Sequence, residues 1–269
     1  MSEMKLGVVE DTLYVPMLGR IYAAKNCPSI LHDTKALELK GSLPQRVIEN
    51  DHQTQYTYVA SASRSANMDR YIRNFLERKP NGVIVQLGCG LETTYNRNDN
   101  GHTQWYGVDL PNVITYRRTL LPESEREEYI SGDAFKKGWI EQIRTAHPTE
   151  PILITASGLF YYFEEGQVLA LIRMLKNHGE IELLFDTVNK SGMTLMQKKH
   201  MKTVGHEEAK MFFYVDSAKK LSGKIGGIKV LSEEPFYRHI PRKGLRLSTK
   251  LSMMISDRLS MVKMIHLGL

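Results

Sequence analysis

The sequence predicts an α/β fold with a mostly parallel, doubly wound sheet of seven strands, and three observations predict it. Short, largely apolar runs of strand length alternate with segments whose apolar residues recur at helical spacing. The links between successive strands are long enough to hold a helix, and crossovers of that length give parallel pairing with helices on both faces. The first apolar run opens directly into a glycine-rich turn, Gly88-Cys89-Gly90.

The elements follow in order. Met68, Tyr71, Ile72, Phe75 and Leu76 mark a helix from Asn67 to Glu77, stopped by KPNG. Val83 to Leu87 reads as a buried parallel strand. The strand TQWYGVDL, a helix from Pro111 to Leu121 and the strand EEYISGDA, ending at Asp133, come next. The beat continues with a helix from Trp139 to Ala146, the strand PILITASG, the helix EEGQVLALIRMLKNHG and the strand EIELLFDTV. After Thr187 it weakens. Residues 190–222 read as two helices with a loop around Val204 to His206, then come the strand IKVLSEEPF, a basic connection and the apolar segment SMVKMIHLGL. We expect a single domain: a helical lead-in over 1–80, of which residues 1–60 cover the carboxyl edge of the sheet, a core over 81–189, a helical cap over 190–222 and terminal strands over 223–269.

A chain of 269 residues is long enough for one α/β core with an elaboration. Its 42% hydrophobic and 25% charged residues are ordinary globular values. It has no apolar run of spanning length, and acidic residues stand where a signal peptide needs a basic end, so no membrane partner and a cytoplasmic location are expected. Two cysteines, Cys27 and Cys89, cannot build a disulfide framework or a zinc quartet, and no metal is expected. The net charge of +6 decides nothing by itself. Its densest stretches, KKHMK and PRKGLRLSTK, lack the interleaved aromatics of a single-strand platform and read as solvated faces, so no nucleic-acid partner is expected.

In a doubly wound sheet, ligands sit outside the carboxyl ends of the strands. Gly88 and Gly90 follow the first strand, Asp109 ends the second, 19 residues after Gly90, and Asp133 ends the third. An acid at that spacing reaches ribose hydroxyls, and Asp133 would lie by the adenine. A dinucleotide fingerprint needs a third glycine where this chain has Thr93, and no G-x-x-x-x-G-K-[ST] loop occurs. A nucleoside without a phosphate tail fits best.

The runs VIVQLGCGLETTYNR, WYGVDLPNVITYRR, ISGDAFKKGWIEQI and ILITASGLFYYFEEGQVLALIRML resemble the leucine carboxyl methyltransferase family, in its branch of tetracenomycin-type polyketide O-methyltransferases. The resemblance covers roughly residues 11 to 190, and D-L-P-x-V-x-x-x-R-R is its most specific run. It implies a Rossmann-like class I methyltransferase with S-adenosylmethionine as cofactor. It also implies Lys25 and Arg64 on the methionine carboxylate, Tyr162 beside the transferring methyl, and Leu110 and Ala134 as cofactor neighbours of Asp109 and Asp133. The family's loop usually has aspartate where this chain has Glu92, and an acid where it has Ser157.

The expected function is O-methylation of a carboxylate or hydroxyl of a small-molecule acceptor. Lys190, His200, His206, Tyr237 and Arg238 are candidates for the acceptor pocket, each with a surface or packing role as the stronger reading. A nucleic-acid methyltransferase would use the same core, and a non-catalytic cofactor-binding protein is the reading that Ser157 motivates.

Overall fold

The computed structural model describes residues 8–204 and 211–269, with the backbone alone at 8–12 and 198–204. Its centre is a seven-stranded sheet: β1 (Val83–Leu87), β2 (Trp105–Asp109), β3 (Glu127–Ser131), β4 (Ile152–Ala156), β5 (Ile181–Val188), β6 (Lys229–Pro235) and β7 (Val262–Gly268). The spatial order is β3-β2-β1-β4-β5-β7-β6. The strands from β1 to β5 pair in parallel; β7 runs antiparallel between β5 and β6. The order reverses beside β1, so the turns after β1 and β4 diverge there and leave the crevice in which such sheets take ligands.

Side-chain alternation builds the two faces. Val83, Val85 and Leu87 join one core with α7 (Gly138–Ala146), α8 (Glu165–Leu175) and α10 (Ala218–Ile225). Ile84 points the other way, onto α4 (Gln55–Arg78), where Met68, Tyr71, Ile72 and Phe75 repeat at helical spacing and are buried. The first helices, α1 (Val8–Asn26), α2 (Thr34–Leu39) and α3 (Gln45–Glu49), form a third cluster that includes Leu91 of the glycine turn and Leu121. α5 (Thr94–Asn98) follows that turn, α6 (Pro111–Leu120) follows β2 with its proline at the first helical position, and α9 (Lys190–Val204) follows β5.

Several elements differ from the sequence reading. Helix α4 starts twelve residues earlier than Asn67, at Gln55, because the side chain of Thr54 caps its first turn. β3 ends at Ser131, so Asp133 lies in the following turn and not on the strand; Gly132 closes that turn by donating to the Asp109 carbonyl at 2.9 Å. The basic connection between the terminal strands contains a 12-residue helix, α11 (Leu247–Arg258). No helix among the described residues is long and apolar enough to cross a membrane.

Candidate active site

β1 ends in a turn that needs glycine twice, with φ of 62° at Gly88 and 46° at Gly90. A Cβ on Gly88 would also come within 2.9 Å of Leu159. The Gly88 amide donates to the Val108 carbonyl at 2.8 Å. Asp109 fastens the turn from the other side, accepting from the Gly90 amide at 2.8 Å on one oxygen and from the Leu110 amide at 2.8 Å on the other. Burial raises its pKa, and the two amides oppose that shift.

The carbonyls of the turn are held by two buried arginines. Arg117 donates to the Gly90 carbonyl at 3.0 Å and to the Glu92 carbonyl at 2.7 Å, and Arg20 donates to the Leu91 carbonyl at 2.7 Å. Arg117 also pairs with Glu127 at 3.0 Å. Arg20 pairs with Glu92 and lies 3.5 Å from Asp33. A third buried guanidinium, Arg97, bridges Asp33 at 2.6 Å, Asp69 at 2.8 Å and Glu92 at 3.3 Å. Charges this deep persist only when paired and hydrogen-bonded, and here each is.

Glu92 sits in the middle of this set. Its oxygens accept from Arg20 and Ser65 on one side and from Thr94 and Arg97 on the other. That fills the capacity of a carboxylate. Burial pushes its pKa up, but Arg20 and Arg97 more than offset this and hold it at about 2.

Across the crevice, β4 runs into Ser157 and Gly158, where φ is 67°. The fully buried Asp186 of β5 accepts from Arg64 Nε at 2.8 Å, the Gly158 amide at 2.7 Å and the Tyr161 hydroxyl at 2.7 Å. Burial lowers the Arg64 pKa, but Asp186 more than reverses it and raises it overall. Burial and Asp186 raise the Tyr161 hydroxyl well above its usual value. Tyr162 is 41% exposed; burial of its hydroxyl raises its pKa, Arg64 opposing and Asp186 adding.

Met68, Gly88, Cys89, Glu92, Thr94 and Ser157 line a narrow cleft between the two turns. The structure thus brings together Gly88, Glu92 and Ser157, with Gly90 and Asp109 in the same turn network and Arg64 on the β4 side. Leu110 is exposed at the end of β2. Asp133 is exposed and accepts from the Phe135 amide at 2.8 Å; Ala134 is half-buried, its carbonyl accepting from Trp139 Nε1 at 3.0 Å. Lys25 is exposed near the end of α1, where Lys40 lowers its pKa, and takes no part in the turn network. Arg20, on the same helix, reaches the turn instead.

Among the acceptor-pocket candidates, Tyr237 is buried with its ring 6.0 Å from that of Tyr56, while Lys190 and Arg238 are exposed. The side chain of His200, and all of His206, lie outside the described residues. Sequence reasoning missed Arg20, Asp33, Asp69, Arg97 and Asp186. Asp186 had a usable signal, an acid near the carboxyl end of a strand, the same that singled out Asp109.

The leucine carboxyl methyltransferase family matches residues 8–176, from the first helix to the end of α8. The chain belongs to that family. It is 24% identical over 228 residues to "Tetracenomycin polyketide synthesis O-methyltransferase TcmP" of Streptomyces glaucescens, covering 84% of this chain and 82% of that protein. Its fold is similar to that of a DUF574 family protein from Streptomyces avermitilis (TM-score 0.60, 12% identity, 93% of this chain and 96% of that one). It is also similar to magnesium protoporphyrin IX methyltransferase from Synechocystis PCC 6803 with bound SAH (TM-score 0.51, 12% identity, 93% and 98%). This leucine carboxyl methyltransferase family member is an S-adenosylmethionine-dependent methyltransferase with a Rossmann-like fold.

The chain's residues fit that cofactor. Two glycines leave the floor of the turn free of side chains, and Asp109 is fixed by two amides beside it.

The depressed Glu92 pKa carries a sign that can be tested. A carboxylate held below its unfolded value of about 4.5 contributes stability that is complete above that pH and is lost as pH falls toward 2. Denaturant melts across this window should show stability falling with pH, and Glu92→Gln should flatten that part of the profile. An equal slope in Glu92→Gln would remove Glu92 as its cause.

Proposed function

We propose that this methyltransferase esterifies a carboxylate of a small molecule, with Asp109 on the ribose of S-adenosylmethionine and Arg64 on its methionine carboxylate. The observation that supports a carboxylate acceptor is the state of the groups beside Ser157. Tyr161 already donates its hydroxyl to Asp186, which leaves Tyr162, 41% exposed and protonated at neutral pH like any tyrosine whose pKa burial raises, as a donor and not a base. Donors orient an anion. A hydroxyl acceptor would instead need a group to take its proton.

When bound, the cofactor supplies an electrophilic methyl on a sulfonium, and transfer is an in-line displacement that depends on alignment and on excluding water. The chain's own tasks follow from that. Arg117 and Arg20 fix the glycine turn and Asp109 presents an oriented carboxylate, and the 41% exposure of Tyr162 supports a role in meeting the acceptor. A carboxylate is ionised at neutral pH and needs no proton removed from its attacking oxygen. The family's carboxyl methyltransferase description and the relative's O-methyltransferase name support an oxygen acceptor.

Incubation of cell extract with methyl-labelled S-adenosylmethionine tests the reading. The label should enter a product from which mild alkali releases methanol, and the rate should be flat with pH above the acceptor's pKa. A base-stable product, formed at a rate that climbs steadily with pH, would assign the methyl to a hydroxyl instead.

Ser157 provides a second test. Because Glu92 is fully engaged by its four partners, it has no capacity to replace the acid usual at position 157. Restoring that acid exchanges a neutral hydrogen bond for a charged one, worth on the order of 1 kcal/mol. Ser157→Glu should therefore bind S-adenosylmethionine several-fold more tightly in calorimetry. Unchanged or weaker binding in a folded variant would remove position 157 from the cofactor site.

A further inference from the structure

The helix α11 is turned inside out. Its inner face, packed on the protein, carries Thr249, Met253 and Ser256, all buried. Leu247, Leu251, Met254, Ile255 and Leu259 recur at helical spacing on the opposite side and are 45% to 73% exposed. Single exposed apolar residues are ordinary, but an outward apolar stripe running the length of a helix marks a binding surface. A helix that served only the core would point its leucines inward.

The charges around the stripe say what covers it. Over residues 238–259 the cations are Arg238, Arg242, Lys243, Arg246, Lys250 and Arg258, and the one acid is Asp257. Arg242 pairs with Asp257 at 3.3 Å; the other five have no carboxylate partner among the described residues. From the outward apolar stripe and its unneutralised cations we propose that α11 docks flat on an anionic lipid bilayer surface. Apolar residues on the buried side of such a helix enter the headgroup boundary while flanking lysines and arginines meet lipid phosphates. A helix of this kind lies on the membrane, so it needs no spanning length. A second copy of the chain fits less well, because two-fold pairing would bring the same cations within a Debye length, about 8 Å, of one another.

The placement has a consequence. Arg246, Ser248 and Ser252 of this region line one open cleft together with Tyr22, Tyr56 and Tyr58. Docking through the stripe would bring that cleft, lined by residues of the same helix, close to the lipid surface.

Sedimentation of the full chain with vesicles tests the proposal, using phosphatidylcholine alone and phosphatidylcholine mixed equally with phosphatidylglycerol. The chain should partition onto the mixed vesicles at about 0.1 M salt, not onto phosphatidylcholine alone, and screening by added salt should weaken it. Leu251→Ser with Ile255→Ser, and separately Lys250→Glu with Arg258→Glu, should each lower the partition coefficient about tenfold or more, with circular dichroism unchanged. Leu251, Ile255 and Arg258 are exposed and Lys250 is half-buried, and the charge pair keeps the test open should the apolar pair disturb folding. Absence of the chain from anionic vesicles, or binding that neither double variant weakens, overturns the proposal. So does a dimer in sedimentation velocity that Leu251→Ser with Ile255→Ser converts to monomer, since the stripe would then belong to a second copy.

Discussion

Three buried arginines, Arg20, Arg97 and Arg117, hold the glycine turn after β1, and the rest of the site depends on that constraint. The turn's three successive carbonyls, Gly90, Leu91 and Glu92, accept from Arg20 and Arg117, so the backbone that faces the cofactor crevice is fixed from behind. The same guanidinia reach outward through Asp33, Asp69, Glu92 and Glu127, which belong to the segment before α2, to α4, to the turn itself and to β3. One charge network therefore registers the N-terminal helices against the sheet. Removing a single partner would strand a buried charge, a loss of about 3–5 kcal/mol where it has been measured.

This network explains a departure from the family pattern. Glutamate in place of the more usual aspartate gives position 92 a longer arm, which here spans the gap between Arg20 and Arg97. The opposite side of the crevice is built differently. Asp186 ties Arg64, Gly158 and Tyr161 together below the surface, while Tyr162 stays open to solvent. One side of the crevice is thus a saturated charge network, and the other leaves the Tyr162 side chain open to solvent.

Much of the sheet was legible because buried parallel strands have a local signature. Val83 to Leu87 was bounded to the residue, and Asp109 stood out because a strand end and a glycine turn lie at a readable spacing. What sequence could not show was pairing at a distance. Arg20 and Glu92 lie 72 residues apart and Arg64 and Asp186 lie 122 apart, and nothing local to any of them marks a partner. Lys25 was singled out by resemblance, yet it is Arg20, more than a turn earlier on α1, that faces the glycine turn. Helix α11 was hidden for a related reason: its apolar repeat points outward and is broken up by cations, so it read as a connection.

An arginine network that forms the glycine turn before any cofactor arrives should protect the Gly90 amide, and its hydrogen exchange reads this out. The Gly90 amide donates to Asp109 at 2.8 Å in a turn whose carbonyls are already held. In cofactor-free protein it should exchange as slowly as amides of the neighbouring strands, and Arg117→Met should release it. Exchange at Gly90 as fast as at the exposed Gly101, slowing only when S-adenosylmethionine is added, would show that the cofactor and not the protein forms the turn.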